Sequence, residues 1–190
     1  MRNALALAAA LLAAPLLSGC FGMAAAGLGA SVLMADDRRT AGVYVEDENI
    51  EWKALALVRE RFPSAHVNAT SYNRRLLLTG EVPDNAARSA LAEAARGIAS
   101  VREVVNEVTV GTNSSVAARG NDTLVTSNVK ARMLGNGKFS PNHVKVVTEA
   151  GVVFLLGLVT EAEADAAVDI ARGTAGVTRV VKVFETIKPN

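Results

Sequence analysis

The chain has 190 residues, and its 20 Lys and Arg residues nearly balance its 19 Asp and Glu residues. A near-neutral chain gives no electrostatic support for a nucleic-acid partner, and we expect none. Hydrophobic residues make up 50% of the chain and aromatic residues only 4%, and the length suits one ordinary domain or two small ones. Beyond the N-terminal signal, no apolar run is long enough to cross a bilayer.

The N-terminus has the features of a lipoprotein signal peptide. Arg2 gives a short positive region, and Leu5 to Leu17 is an apolar run made almost wholly of Ala and Leu. Small residues then precede Cys20, the only cysteine in the chain. A lone cysteine cannot form an internal disulfide, whereas acylation would occupy its thiol. We therefore predict a signal at residues 1–19 and a lipidated Cys20; an ordinary signal with a chance cysteine is the alternative.

Residues 20–46 are interpreted as a lipidated tether and lead-in segment. Glycine and alanine are frequent just after Cys20, as in a flexible connection. Phe21 stands where the usual inner-membrane retention signal has Asp, which favours anchoring to the periplasmic face of the outer membrane. Each methylene of an acyl chain buried in the bilayer contributes ~0.8 kcal/mol to such anchoring.

The rest of the chain contains the same unit twice. We place the first unit at residues 47–111, a linker at 112–120 and the second unit at 121–188. The linker is placed where Thr, Asn, Ser and Gly cluster. Two passages recur in the same order and with nearly the same spacing: Leu76–Val82 matches Val153–Val159, and Ala95–Val101 matches Ala171–Val177.

Each unit is predicted to fold as helix, strand, strand, helix, strand. In the first unit, apolar residues recur at helical spacing from Ile50 to Phe62, and Pro63 ends that helix. The elements predicted after it are a hairpin of strands His66–Ser71 and Leu76–Val82, a helix capped by Asp84, and a final strand Val101–Val110.

The second unit follows the same order. Its predicted elements are a helix over Thr123–Leu134, strands Val144–Thr148 and Val152–Val159, a helix that opens with the capping box Thr160–Glu163, and a final strand Val177–Ile187. Two helices that cover one face of a three-stranded mixed sheet make a small α+β sandwich. The sequence therefore predicts two such sandwiches in tandem.

The two units, with Gly80 and Gly157 at the same strand position, resemble two BON domains. Together with Cys20, they make the whole chain similar to the dual-BON outer-membrane lipoproteins of the YraP/DolP type. This resemblance implies a role in outer-membrane integrity, binding of anionic phospholipid by the second BON domain, and enrichment at the division site. Where some relatives carry Trp early in the first helix of the second domain, this chain has Leu124.

The helix over Thr123–Leu134 is a candidate lipid-binding surface. At about 100° per residue, Val125, Val129 and Met133 share one face, which should be core. A partly apolar strip lies on the opposite face with a cation on either side, as in a helix that rests in a membrane interface. The candidate lipid-binding residues are Leu124, Ser127, Asn128, Lys130, Ala131, Arg132 and Gly135. A solvated helix face, or packing of this strip on the first unit, is the alternative.

The sequence offers no other chemical site. His66 and His143 are the only histidines, and without an HxxxH or CxxC pattern we predict neither a metal site nor a cofactor. Gly135–Lys138 faintly resembles a nucleic-acid-binding glycine loop, but glycine at the end of a helix is an expected cap. Nothing marks a nucleophile or an acid–base pair, so we predict no catalytic residue and no enzyme.

A protein-interaction adaptor is the alternative function. Such an adaptor would dock on envelope assembly proteins through the first unit or through a sheet edge. The Val-rich final strands, Val104–Val110 and Val177–Ile187, are candidates for that edge.

Overall fold

The structure is a computed structural model that describes residues 36–189. The predicted signal at 1–19, the lipidated Cys20 and the predicted tether up to residue 35 lie outside the described residues. The elements, in chain order, are α1 (Ala41–Arg61), β1 (His66–Tyr72), β2 (Arg75–Val82), α2 (Asn85–Arg96), β3 (Glu103–Asn106), β4 (Thr109–Val110), α3 (Val116–Leu134), a 3₁₀ turn (Pro141–His143), β5 (Val144–Glu149), β6 (Val152–Val159), α4 (Glu161–Arg172) and β7 (Arg179–Thr186).

Both predicted hairpins form. β1 pairs antiparallel with β2, and β5 pairs antiparallel with β6. Asn73 and Arg74 connect the first pair with φ of 52° and 64°, and Ala150 and Gly151 connect the second with φ of 50° and 74°. Two successive residues with positive φ give the two-residue turn whose twist matches that of the strands. The copies therefore share their turn geometry although the turn residues differ.

Each sheet is mixed because its last strand runs parallel to the second strand of the hairpin. β7 pairs with β6 over the whole length of both strands. In the first domain the predicted strand Val101–Val110 is instead two short strands, β3 and β4, which both pair with β2. Between them Glu107 and Val108 have no register partner in β2, and the carbonyl of Gly80 accepts a hydrogen bond from the hydroxyl of Thr109. The α+β class and the two mixed sheets agree with the sequence prediction.

Helix α3 begins earlier than the sequence predicts. It starts at Val116 rather than Thr123, so the latter part of the predicted linker is helical. Ser115 caps the helix, since its side chain accepts a hydrogen bond from the N–H of Ala118. Gly120 lies inside the helix, where glycine costs about 1 kcal/mol relative to Ala. The two helix caps predicted elsewhere are present: Asp84 caps α2, and the capping box begins α4.

Helix α1 also begins before the predicted unit. Thr40 accepts a hydrogen bond from the N–H of Val43, and the helix runs from Ala41. The last residues of the predicted lead-in segment are thus helical. Buried Ile50, Ala54 and Val58 face the core of the first domain.

Within residues 36–189, three apolar clusters hold the fold together. One lies between the helices and the sheet of each domain. The third joins the domains, because Tyr72 and Leu77 of the first sheet pack in one cluster with Phe154 and Leu156 of the second. Side chains alternate along a strand, so Leu76 and Leu78 face the helices while Leu77 faces the other sheet. The two sheets therefore pack on each other, with helices outside.

Polar contacts fix the same junction. Lys145 of β5 pairs with Glu51 of α1 at 2.7 Å. Arg38, just before α1, pairs with Glu163 of α4 at 2.7 Å and also donates to the carbonyl of Leu158. Further bonds between the domains include Asn68 to Glu149, Asn73 to Glu185 and Arg75 to the carbonyl of Phe184. Residues 37–189 belong to one compact unit.

Candidate lipid-binding helix of the second domain

Helix α3 carries three large aliphatic side chains that the described chain leaves largely exposed. Val116, Leu124 and Leu134 are 77%, 64% and 75% exposed. At about 100° per residue they fall within one arc of roughly 80° on the helix. Their opposite face is buried through Val125, Val129 and Met133, as predicted. The helix is thus core on one side and apolar towards solvent on the other.

The candidate residues are all exposed, but they are not equivalent. Leu124, Ser127, Asn128, Lys130, Ala131, Arg132 and Gly135 reach solvent. Ser127 donates its hydroxyl to the carbonyl of Thr123, within its own helix. Arg132 donates to the carbonyl of Gly173 and to the hydroxyl of Thr174, just beyond the end of α4. Its charge therefore binds the C-terminal end of another helix, where cations are favourable.

The strip does not pack on the first domain. The two domains instead contact each other through their sheets, and the strip on α3 stays exposed. Within residues 36–189, Lys130 forms no ion pair, so its charge remains available. Val116 and Leu134 were not among the candidate residues: Val116 lies in a segment predicted to be linker, and Leu134 is the last residue of the helix.

The charges of the second domain are separated between its two helices. Asp122 is the only acid in α3, and it is buried. Its carboxylate accepts hydrogen bonds of 2.9 Å from the N–H groups of Ala150 and Gly151 in the hairpin turn. Helix α4 exposes Glu161, Asp165 and Asp169. An anionic surface would therefore repel α4 and not α3.

A cavity of about 420 Å³ opens beside the C-terminal end of α3. Lys130 and Leu134 line it from α3, and Tyr44 lines it from α1. Arg39 lies at the wall of the cavity and stacks on two tyrosine rings. Its Cζ is 5.0 Å from the ring centroid of Tyr44 and 4.1 Å from that of Tyr72. Burial lowers the pKa of Arg39, but hydrogen bonds to Asp37 and Asp47 outweigh burial and raise it above its usual value. Among the residues that the structure describes, no carboxylate pairs with Lys130, whereas Arg39 and Lys145 of the same cavity are paired.

Two further features were missed from sequence. Trp52, the only tryptophan, is 66% exposed on α1 of the first domain. His66 lies close to two carboxylates, Glu81 and Glu149, and one ligating atom from each lies within 4.8 Å of the others. No local spacing could reveal this cluster, because Glu149 comes from the second domain. Among residues 36–189, no helix has the length and hydropathy that a bilayer crossing requires.

Comparison with known proteins agrees with the two-domain architecture. The family model for the BON domain matches the chain twice, at residues 46–112 and 121–188. The chain is 39% identical over 172 residues to outer membrane lipoprotein DolP of Haemophilus influenzae, with 89% of each protein covered. It is 34% identical over 155 residues to the 21 kDa hemolysin of Actinobacillus pleuropneumoniae, with 80% of each covered.

A more distant relative is the osmotically-inducible protein Y of Escherichia coli, 29% identical over 150 residues, with 76% of this chain and 75% of that protein covered. The two BON matches together span most of the residues from Glu46 onward. The chain belongs to the BON-domain family, as a two-domain member related to the outer membrane lipoprotein DolP.

Proposed function

We propose that this protein is a non-enzymatic outer-membrane lipoprotein that supports envelope integrity, and that its second BON domain binds anionic phospholipid through α3. Cys20 supplies the permanent anchor, and α3 supplies a second, weaker contact. The single observation that carries the proposal is the exposed aliphatic face of α3, formed by Val116, Leu124 and Leu134. The name of the DolP relative supports the outer-membrane location, and enrichment at the division site is part of the proposal.

The energetics suit a shallow interfacial contact. Full burial of a Val or Leu side chain contributes about 1.5–3 kcal/mol, and each cation near an anionic surface about 1 kcal/mol. Small residues between the three aliphatic side chains, such as Ser127 and Ala131, let the helix lie close to the head groups. The resulting affinity is modest. A lipid anchor offsets this, because it keeps the domain at a high local concentration beside the bilayer.

Vesicle flotation of the non-lipidated chain, residues 21–190, tests the proposal. We expect flotation with vesicles containing phosphatidylglycerol or cardiolipin and little with purely zwitterionic vesicles. Leu124→Glu should abolish flotation without loss of stability, because Leu124 is already exposed. Val110→Glu is the matched control, since Val110 is also exposed but lies on the first domain. Equal flotation of the Leu124→Glu variant and the unaltered chain would refute the lipid-binding face.

A protein-interaction adaptor is the second candidate, and exposed Trp52 favours it. Tryptophan is enriched at the centres of protein interfaces, and neighbouring Tyr44 and Val45 are also exposed on α1. This candidate predicts a stoichiometric crosslinked partner among envelope assembly proteins in cells. The crosslink should be lost in Trp52→Ala and kept in Leu124→Glu. Loss in neither variant would exclude docking through α1.

A further inference from the structure

We propose that His66, Glu81 and Glu149 form a binding site for a divalent transition metal, with Zn²⁺ the best match, at the junction of the two BON domains. One ligating atom from each side chain lies within 4.8 Å of the other two. The proposal does not depend on lipid binding, because none of the three residues belongs to the exposed aliphatic face of α3. Ser127 and Lys130 of α3 only line the adjoining cavity. The proposed metal ion would bind at the junction between the domains described above.

The backbone brings the three residues together from two domains. His66 and Glu81 are direct partners in the β1–β2 register, so their side chains lie side by side on one face of that sheet. Glu149 is the last residue of β5 in the second domain. The packing of one sheet on the other places it against this pair. A bound metal would therefore link the first domain to the second.

Hydrogen bonds already orient both carboxylates. Glu81 accepts from the N–H of Ser114 at 3.1 Å, and its Oε2 lies 3.0 Å from Nδ1 of His66. Glu149 accepts from the amide of Asn68 at 2.8 Å and from the hydroxyl of Thr79 at 3.3 Å. Such outer bonds hold metal ligands in place and are a usual part of metal sites.

The charge balance of the cluster favours a cation. Glu81 and Glu149 are each only 7% exposed, and two buried carboxylates in close proximity repel each other. Within residues 36–189, neither forms an ion pair with Lys or Arg. Arg119 and Lys130 line the adjacent cavity without pairing with them. A protonated His66 would neutralise one negative charge, whereas a divalent cation neutralises both.

The ligand chemistry selects the class of metal. One imidazole nitrogen and two carboxylate oxygens suit Zn²⁺ and similar ions, whereas Ca²⁺ and Mg²⁺ prefer more ligands, all of them oxygen. Tetrahedral Zn²⁺ needs ligand atoms roughly 3.3 Å apart, so small side-chain rotations complete the site. The adjoining cavity of about 510 Å³ is lined by His66 and Glu149, and it leaves room for water as a fourth ligand.

The duplicated position provides an internal comparison. His143 corresponds to His66, but the residue that corresponds to Glu81 is Leu158, which cannot bind a metal. Nδ1 of His143 lies 3.7 Å from Glu163, which is already held by Arg38. The second domain therefore lacks the three-ligand arrangement, and His143 serves as a control.

Titration with ZnCl₂ tests the site. The full chain carrying Cys20→Ser, so that no thiol competes, is stripped with a chelator and titrated by calorimetry. We expect one Zn²⁺ per chain and, with metal at about 100 times the Kd, a rise in Tm of about 5–10 °C. His66→Gln and Glu149→Gln should each abolish both effects, while His143→Gln should keep them.

The metal-free proteins keep the test interpretable. Glu149→Gln removes one of two repelling charges, so its metal-free Tm should equal or exceed that of the Cys20→Ser chain. A folded Glu149→Gln variant that no longer responds to ZnCl₂ supports the site. The proposal is overturned if the Cys20→Ser chain shows no Zn²⁺-dependent rise in Tm, or if His66→Gln responds as strongly as His143→Gln.

Discussion

Asp47 and Asp122 occupy equivalent positions, and each binds the hairpin turn of its own domain. Asp47 accepts from the N–H groups of Asn73 and Arg74 at 2.8 and 2.7 Å. Asp122 accepts from those of Ala150 and Gly151, each at 2.9 Å. Both aspartates are buried and lie on the first helix of their domain. The helix and the hairpin of each copy are thus joined by a carboxylate.

We expect Asp122→Ala to lower the free energy of unfolding by about 2–4 kcal/mol. The substitution removes the carboxylate that accepts from two turn N–H groups. A bond to a charged acceptor contributes about 1.5–3 kcal/mol, and water can replace part of this at exposed Ala150. Urea unfolding followed by circular dichroism measures the change. Asp165→Ala, which removes an exposed aspartate of α4, is the control and should change stability by less than about 0.5 kcal/mol. A loss of that small size in Asp122→Ala would contradict the role of the carboxylate.

Gly80→Ala should destabilise the first domain strongly. An added Cβ would lie 2.0 Å from the carbonyl oxygen of His66, and Gly80 has φ of +109°. Overpacking and backbone strain together predict a loss of about 3 kcal/mol or more. Gly111→Ala is the matched control, because a Cβ there meets no atom within 4 Å. Equal thermal stability of the two variants would show that the strands can separate to admit a methyl group.

Glu163 should make stability depend on pH in the acid range. Hydrogen bonds from Arg38 lower the pKa of Glu163 to about 2, against the opposing effect of burial. The ordinary value is 4.5, so the folded state binds this proton less readily than the unfolded state. The stabilisation is therefore present above about pH 4.5 and is lost as the pH falls towards 2.

Glu163→Gln isolates that contribution, since Gln can still serve in a capping box but carries no charge. Urea unfolding of both proteins from about pH 6 to about pH 2.5 should show the unaltered chain more stable at the upper end, with the gap closing as the pH falls. A constant gap would mean that the Arg38–Glu163 pair does not contribute through its charge.

Lys130 and Arg132 should respond differently to the same change. Lys130→Gln should weaken binding to anionic vesicles about fivefold, since one cation near the surface is worth about 1 kcal/mol, and should leave Tm unchanged. Arg132→Gln should lower the free energy of unfolding by about 1 kcal/mol, because it removes bonds to Gly173 and Thr174. Equal effects of the two variants on binding and on Tm would contradict this division of roles.

The elements that the sequence predicts correctly are those with strong local signals. Asp84 and the Thr160–Glu163 box are recognisable caps, and the duplicated glycines mark equivalent strands. The predicted start of α3 was wrong, because Ser115 begins the helix in a segment whose composition is typical of a linker. The split between β3 and β4 lies opposite Gly80, which has positive φ and accepts from the hydroxyl of Thr109, and no local pattern in Val101–Val110 indicates it.

The candidate surface could be predicted only in part. Leu124 and Lys130 follow from helical periodicity, since exposure of a helix face depends on a repeating local pattern. The bond from Arg132 to the end of α4 depends on how two helices pack, and periodicity carries no information about it. Residues that meet across the domain junction, such as His66 and Glu149, are far apart in sequence, and only the packing of the sheets reveals them.

The packing of one sheet on the other has a consequence for how the duplicated copies can be studied. In a fragment that contains only one domain, the apolar sheet face that includes Leu77 or Phe154 would be exposed to water. The ion pair between Arg38 and Glu163 would also be lost. Such a fragment is expected to self-associate, so binding measured on it would report the bared sheet as well as the native surface. Substitutions in the intact chain therefore separate the roles of the two copies better than truncation does.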